Sequence, residues 1–247
     1  MAEMAIFIDV YKCTACRACQ VACKNWNQLK ADKTESRGSH ENPTDLSANT
    51  WNRIRFREVL MPDGKIDWSF FSDRCRHCDP APCMEASKIP EAIVKHETGA
   101  VLFGEKTKEL YFQDIRDACP FDIPRMDEKT KKIVKCTLCI DRVTNGLKPA
   151  CVTACSTSAL LYGPKADMIN LAKKRVKELG GNACLYPGEE FNTIWALPDT
   201  PKHYGIAEAP KIHNYMFAGS KLFSPLGKAS LAVGLIGYMR TRTERNQ

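Results

Sequence analysis

The sequence has no long hydrophobic run, no nucleotide or hydrolase signature and no even count of cysteines. The charge-free run after Lys228 covers residues 229–239, eleven residues against the roughly 20 needed to span a bilayer. GxSxG, GxxxxGK(S/T), HExxH and GxGxxG are all missing, which removes the nucleophile elbow, the P-loop, the zinc protease helix and the dinucleotide fingerprint. Thirteen cysteines cannot all pair, and MAEMAIFIDVYK lacks the basic-then-apolar pattern of a secretory signal. A chain of 247 residues also buries a core without covalent staples, as one large domain or two modest ones. The cysteines therefore point to metal rather than to disulfides.

Charge gives little on its own. The formal net charge is +7, but residues 202–247 hold Lys202, Lys211, Lys221, Lys228, Arg240, Arg242 and Arg245 against Glu208 and Glu244, a surplus of +5. A cubane with four thiolates carries about −2, so three of them would cancel about six positive charges. A nucleic-acid partner is not expected.

What is abundant is cysteine at short, repeated spacing. CTACRACQVAC holds Cys13, Cys16, Cys19 and Cys23; CRHCDPAPC holds Cys75, Cys78 and Cys83; ACPFDIPR holds Cys119; CTLC and CVTAC hold Cys136, Cys139, Cys151 and Cys155. Between them, 5–10 reads as a strand and CQVACKNWNQLK as a helix. Residues 92–103 read as a hairpin about Gly99, IVK before Cys136 and ALLYG after Cys155 as strands, and 165–181 as a helix stopped by glycine. Residues 32–50 read as an irregular insertion. The expected fold is α+β, with tandem ferredoxin-like modules wrapped around cysteine loops. Residues 1–165 form the double module, with the second unit (75–119) nested inside the first. A helical or irregular C-terminal extension (166–217) and a tail (218–247) follow.

The spacing C-x2-C-x2-C-x3-C is a cubane signature: three thiolates come from one tight loop, and the fourth cysteine, on the helix leaving it, reaches the other cluster of a pair. By that crossed rule Cys13, Cys16 and Cys19 take Cys155 (cluster one), and Cys136, Cys139 and Cys151 take Cys23 (cluster two). In the nested unit Cys75, Cys78 and Cys83 take Cys119, whose following Pro120 matches the terminal C-P of such runs (cluster three). The partners of a fourth cluster are missing together, since Ser87, Glu109, Phe112 and Ile115 stand where its cysteines would be. The expected cofactors are three 4Fe-4S clusters. The competing reading is three four-thiolate zinc sites in a non-redox interaction module. Arg17, Lys24, Arg76, Lys135, Arg142 and Lys148 lie near the cysteines, where cations offset cluster charge. No ligand role is expected for His77, and Cys184 reads as a spare thiol.

The pattern resembles the iron–sulfur β subunits that accompany molybdopterin enzymes of the dimethyl sulfoxide reductase superfamily. The gap at the fourth cluster is similar to that of β subunits from two-subunit, tungsten-type formate dehydrogenases. The motifs that carry this likeness are CTACRACQVACKNW, CRHCDPAPC, VLFGEKTK, ACPFDIPR and CIDRVTNGLKPACVTAC. The resemblance implies a non-catalytic electron-transfer subunit with no catalytic residue of its own. It implies a catalytic α subunit holding a tungsten or molybdenum bis-pterin that interconverts formate and carbon dioxide, and a cytochrome or membrane subunit as acceptor. The same relay in a nitrate, polysulfide or sulfoxide reductase is the alternative. It also implies a periplasmic heterodimer, exported folded with a signal-bearing partner, with the cytoplasm as the other possibility. The apolar-then-basic tail is a candidate for membrane or partner docking.

Overall fold

A computed structural model describes residues 2–208, all of which fall within one compact unit. The strands are β1 (Met4–Asp9), β2 (Asn52–Leu60), β3 (Ile66–Arg74), β4 (Ile93–Lys95), β5 (Val101–Phe103), β6 (Arg125–Met126), β7 (Ile133–Val134), β8 (Leu160–Pro164), β9 (Cys184–Tyr186) and β10 (Thr193–Leu197). The helices are α1 (Ala18–Trp26), α2 (Pro82–Glu85), α3 (Phe112–Asp117), α4 (Ile140–Val143), α5 (Ala150–Thr153) and α6 (Lys165–Leu179).

β1 and β10 read as almost continuously apolar, MAIFID and TIWAL, and they form the centre of a four-stranded sheet ordered β8-β1-β10-β9. A strand covered on both faces needs no polar alternation. β1 runs antiparallel to β8, with Ile6 opposite Tyr162, and parallel to β10, with Ile6 opposite Thr193. α6 packs on this sheet through Met168 and Ala172 and ends at Gly180, whose φ of +64° turns the chain out of the helix. On the core side Phe71 stacks on Trp195 at 5.3 Å, and Tyr186 stands edge-on to Trp195 at 6.0 Å.

Three two-stranded ribbons carry the rest. The long one pairs β2 with β3 from Asn52–Arg74 to Leu60–Ile66. The expected hairpin is β4–β5, and β6–β7 leads into Cys136. Residues 32–50 form no helix or strand, but Asp32 pins them by accepting hydrogen bonds from Ser47 Oγ (2.6 Å), Thr50 Oγ1 and Lys24 Nζ (2.9 Å).

Two expectations change. The first helix ends at Trp26, short of Lys30, because Asn27 closes it by donating its side-chain amide to Cys23 O at 2.8 Å. Residues 184–197, expected to be helical or irregular, supply two strands, one of them the parallel neighbour of β1. The C-terminal part of the described chain therefore belongs to the same core as the N-terminus. Residues 218–247 lie outside the described residues, and among the described ones no helix is long and apolar enough to cross a membrane.

Candidate metal centres

Each cysteine loop is a short reversal feeding a helix: Cys13–Cys19 leads into α1, Cys75–Cys78 into α2, and Cys136–Cys139 into α4. The same backbone device recurs in all three. The residue two after the first cysteine lies in the left-handed region, at φ +53° for Ala15, +48° for His77 and +58° for Leu138. The turn aims that residue's N–H at the sulfur just before it. His77 N reaches Cys75 Sγ and Leu138 N reaches Cys136 Sγ, both at 3.4 Å, and Ala15 N lies against Cys13 in the same way. Such N–H groups favour anionic sulfur.

The loops enclose three small interior cavities, each walled by four cysteines. Cys13, Cys16, Cys19 and Cys155 face one. Cys23, Cys136, Cys139 and Cys151 face a second. Cys75, Cys78, Cys83 and Cys119 face the third. These groupings are the crossed sets expected from spacing. Cys19 and Cys23 share α1 yet open into different cavities, and Cys151 and Cys155 divide in the same manner around α5. The second cavity neighbours both others. Cys19 of the first lies close enough to Cys151 of the second for their thiolates to repel, and Cys136 of the second stands in the same relation to Cys75 of the third.

The protein alone does not favour ionising the most buried of these sulfurs. Burial, reinforced by the thiolates of Cys136 and Cys151, pushes Cys23 well up from the ordinary thiol range. Burial drives Cys83 and Cys136 to about 12 and Cys139 to about 11. Four buried thiolates facing one another need a multivalent cation among them. A cubane meets that need with four irons, each reaching one sulfur. Among the described residues no three His, Cys, Asp or Glu side chains converge as ligands of a single metal ion. The donor set, the enclosed space and the N–H groups aimed at sulfur all fit a four-iron cluster in each cavity.

The cations noted in the sequence separate on inspection. Arg17 lies beside the first cavity, its guanidinium 4.8 Å from the centroid of the Phe56 ring. Lys24 is spent on Asp32, and Arg142 lies over Trp26 at 4.2 Å. Lys148 is exposed. Arg76 is buried but paired with Asp73 at 2.9 Å. His77 is wholly buried and accepts a hydrogen bond from Val101 N at 3.0 Å through Nδ1, and burial holds it well below the usual imidazole range. Cys184 lies on β9, apart from all three cavities, with its sulfur 3.6 Å from Asp199 O. Sequence reading passed over Arg74, which is 1% exposed and donates from Nη1 to Cys151 Sγ at 3.1 Å. Its position immediately before Cys75 was the only local signal.

The fourth set of positions is filled rather than open. Phe112 and Ile115 pack with Ala81, Ile93, Val101 and Ile133 into one apolar cluster against Cys83, while Ser87 turns its hydroxyl to Ile89 O at 3.0 Å and Glu109 is exposed.

A family model for a 4Fe-4S dicluster domain matches residues 66–165. The chain is 42% identical over 209 residues to formate dehydrogenase 2 subunit beta (cytochrome c-553) of Nitratidesulfovibrio vulgaris, covering 81% of this chain and 95% of the relative. It is 42% identical over 205 residues to formate dehydrogenase subunit beta of Megalodesulfovibrio gigas, covering 80% and 95%. To the nitrate-inducible formate dehydrogenase iron-sulfur subunit of Escherichia coli it is 35% identical over 248 residues, 96% of this chain and 84% of that one.

Proposed function

We propose that this chain, which belongs to the iron–sulfur subunits of formate dehydrogenases, holds three 4Fe-4S clusters in a row and relays electrons along them. It is an electron-transfer subunit working with a catalytic α subunit. The observation that carries the three-cluster reading is the division of twelve cysteines into three separate quartets, each around its own cavity. Bound there, the clusters supply one-electron redox chemistry.

The residues of the chain do the rest. The twelve cysteines hold the irons, and the left-handed turns fix N–H groups toward sulfur. Adjacency through Cys19–Cys151 and Cys136–Cys75 supports the order one, two, three. Cys16 is exposed, so the cluster-one end lies where a partner's redox centre can approach.

The partner is proposed to oxidise formate, or to reduce carbon dioxide, at a tungsten or molybdenum bis-pterin. A cytochrome is proposed as acceptor, and the periplasm as the compartment. Cell fractionation that finds the complex only in the cytoplasm would refute that location.

Iron, zinc and acid-labile sulfide per chain, measured on anaerobically purified protein, test the relay. About twelve irons and about twelve sulfides are expected from three cubanes. Zinc without sulfide would replace the relay by a zinc-held interaction module. Formate-dependent dye reduction by the complex tests the substrate.

A further inference from the structure

Five cationic side chains are buried among the described residues: Arg53, Arg74, Arg76, Arg125 and Lys135. Three have a carboxylate. Arg53 pairs with Glu41 at 3.0 Å, Arg76 with Asp73 at 2.9 Å and Arg125 with Asp45 at 2.8 Å. Arg74 and Lys135 have none. Arg74 gives Nε and Nη2 to Ser72 Oγ at 3.1 and 2.8 Å and Nη1 to Cys151 Sγ at 3.1 Å. Lys135 gives Nζ to Val101 O at 2.5 Å and to Cys136 O at 3.1 Å, and its ammonium lies 4.8 Å from the centroid of the Phe103 ring. An ammonium has three N–H groups, so one remains beyond the two carbonyls. A buried charge without a counter-ion is strongly destabilising, so each of these sites implies a negative partner.

The placement of the two is reciprocal. Arg74 precedes Cys75, a wall of the third cavity, yet Arg74 lines the second. Lys135 precedes Cys136, a wall of the second cavity, yet Lys135 lines the third. Arg74 ends β3 and Lys135 directly follows β7, so each cation stands where a ribbon strand gives way to a cysteine loop, and cation and next cysteine face different cavities.

We infer that Arg74 and Lys135 are a crossed pair of fixed positive charges that raise the reduction potentials of cluster two and cluster three respectively. This rests on the clusters occupying the cavities. One-electron reduction makes a four-thiolate cubane more negative by one charge, and a nearby buried cation stabilises the more negative state, little screened by salt. Arg74 also acts on Cys19 of the first cavity, so cluster one receives a weaker share. Removing either cation should make its own cluster harder to reduce while leaving the far one unchanged.

The test is a redox titration followed by electron paramagnetic resonance on the anaerobically purified complex, with iron counted in every sample. Wild type, Arg74→Gln, Arg74→Lys and Lys135→Gln are compared, and Cys139→Ser and Cys83→Ser mark the signals of clusters two and three. In Arg74→Gln the reduced-to-oxidised ratio of cluster two at a given potential is expected to fall at least tenfold, which is 59 mV for a one-electron couple. Cluster one should fall by less and cluster three should hold. Lys135→Gln should lower cluster three alone, and Arg74→Lys should restore most of the change at cluster two. Full iron with unmoved potentials, or an equal shift of all three clusters, overturns the inference. Absence of iron–sulfur signals in the wild type would instead overturn the relay itself. Should Arg74→Gln lose iron, Arg74→Lys and Lys135→Gln decide alone: a near wild-type cluster two in Arg74→Lys together with a shift confined to cluster three in Lys135→Gln supports the inference, and an unmoved cluster three in Lys135→Gln ends it.

Discussion

Ile115 stands where a fourth-cluster cysteine would be, and Ile115→Ala tests what the fold does with that place. The side chain is 1% exposed, and its neighbours Val101 and Ile133, at 1% and 0%, are held on strands that cannot close in on a gap. Truncating a buried isoleucine costs about 2–5 kcal/mol, with the upper part of the range applying where the site cannot collapse. A value of about 3 kcal/mol raises the population of the locally opened segment around Ile115 by about a hundredfold, since about 1.4 kcal/mol is a factor of ten. The apolar cluster packs directly against Cys83, so the opening exposes the Cys83 quartet, the proposed place of cluster three, and not the other two. The assay is iron release to an excess of chelator under anaerobic conditions. One cluster's share should leave about a hundredfold faster than in wild type and the remainder at the wild-type rate. Uniform acceleration of all the iron, or no acceleration, would refute the claim that these side chains are a packed plug supporting cluster three.

Three further outcomes follow from the geometry. Cys155→Ala should abolish the cluster built on Cys13, Cys16 and Cys19, lowering iron from about twelve to about eight per chain, whereas Cys184→Ala should leave iron unchanged. A Cys155→Ala variant that instead lost the Cys136 signal would contradict crossed ligation. Gly99→Ala places a methyl group 2.0 Å from Asn192 Nδ2 at a φ of +87°, and Asn192 anchors Glu3 and Met4 O by bonds of 2.9 and 2.8 Å. The melting temperature should fall by an amount corresponding to about 2–4 kcal/mol, from left-handed strain of about 1–2 kcal/mol plus the displaced hydrogen bonds. Part of that should return in Gly99→Ala with Asn192→Ala, which removes the clashing amide. Asp32→Ala strips the acceptor of Ser47, Thr50 and Lys24, so limited proteolysis should cut within residues 32–50 sooner at unchanged iron content.

Much of the candidate site was legible in the primary structure because cluster ligation is a local, countable property. Two-residue spacers allow one loop to present three sulfurs, and a three-residue spacer moves the fourth to the helix beyond. Cys23 and Cys155 could therefore be assigned across the pair without coordinates. Strands and helices with a plain apolar pattern, such as β1, β8 and α6, were equally readable. The β2–β3 ribbon was not recognised, since NRIRFREVL mixes charge into both faces and its partner strand begins beyond a five-residue connection, Met61–Lys65.

The twelve cysteines, their spacing and the four substituted positions by themselves pointed to three quartets that share α1 and α5 crosswise, because two-residue spacers present three sulfurs from one loop and a three-residue spacer carries the next beyond it. Only the tertiary structure decided that β10 lies beside β1, that Phe112 and Ile115 pack the fourth position shut, and that the second cavity neighbours both others. It alone decided the reach of Arg74 and Lys135. Each sits one residue from a cysteine of one quartet, and whether its charge meets that quartet or the next depends on how two strands converge, which no spacing within either strand encodes.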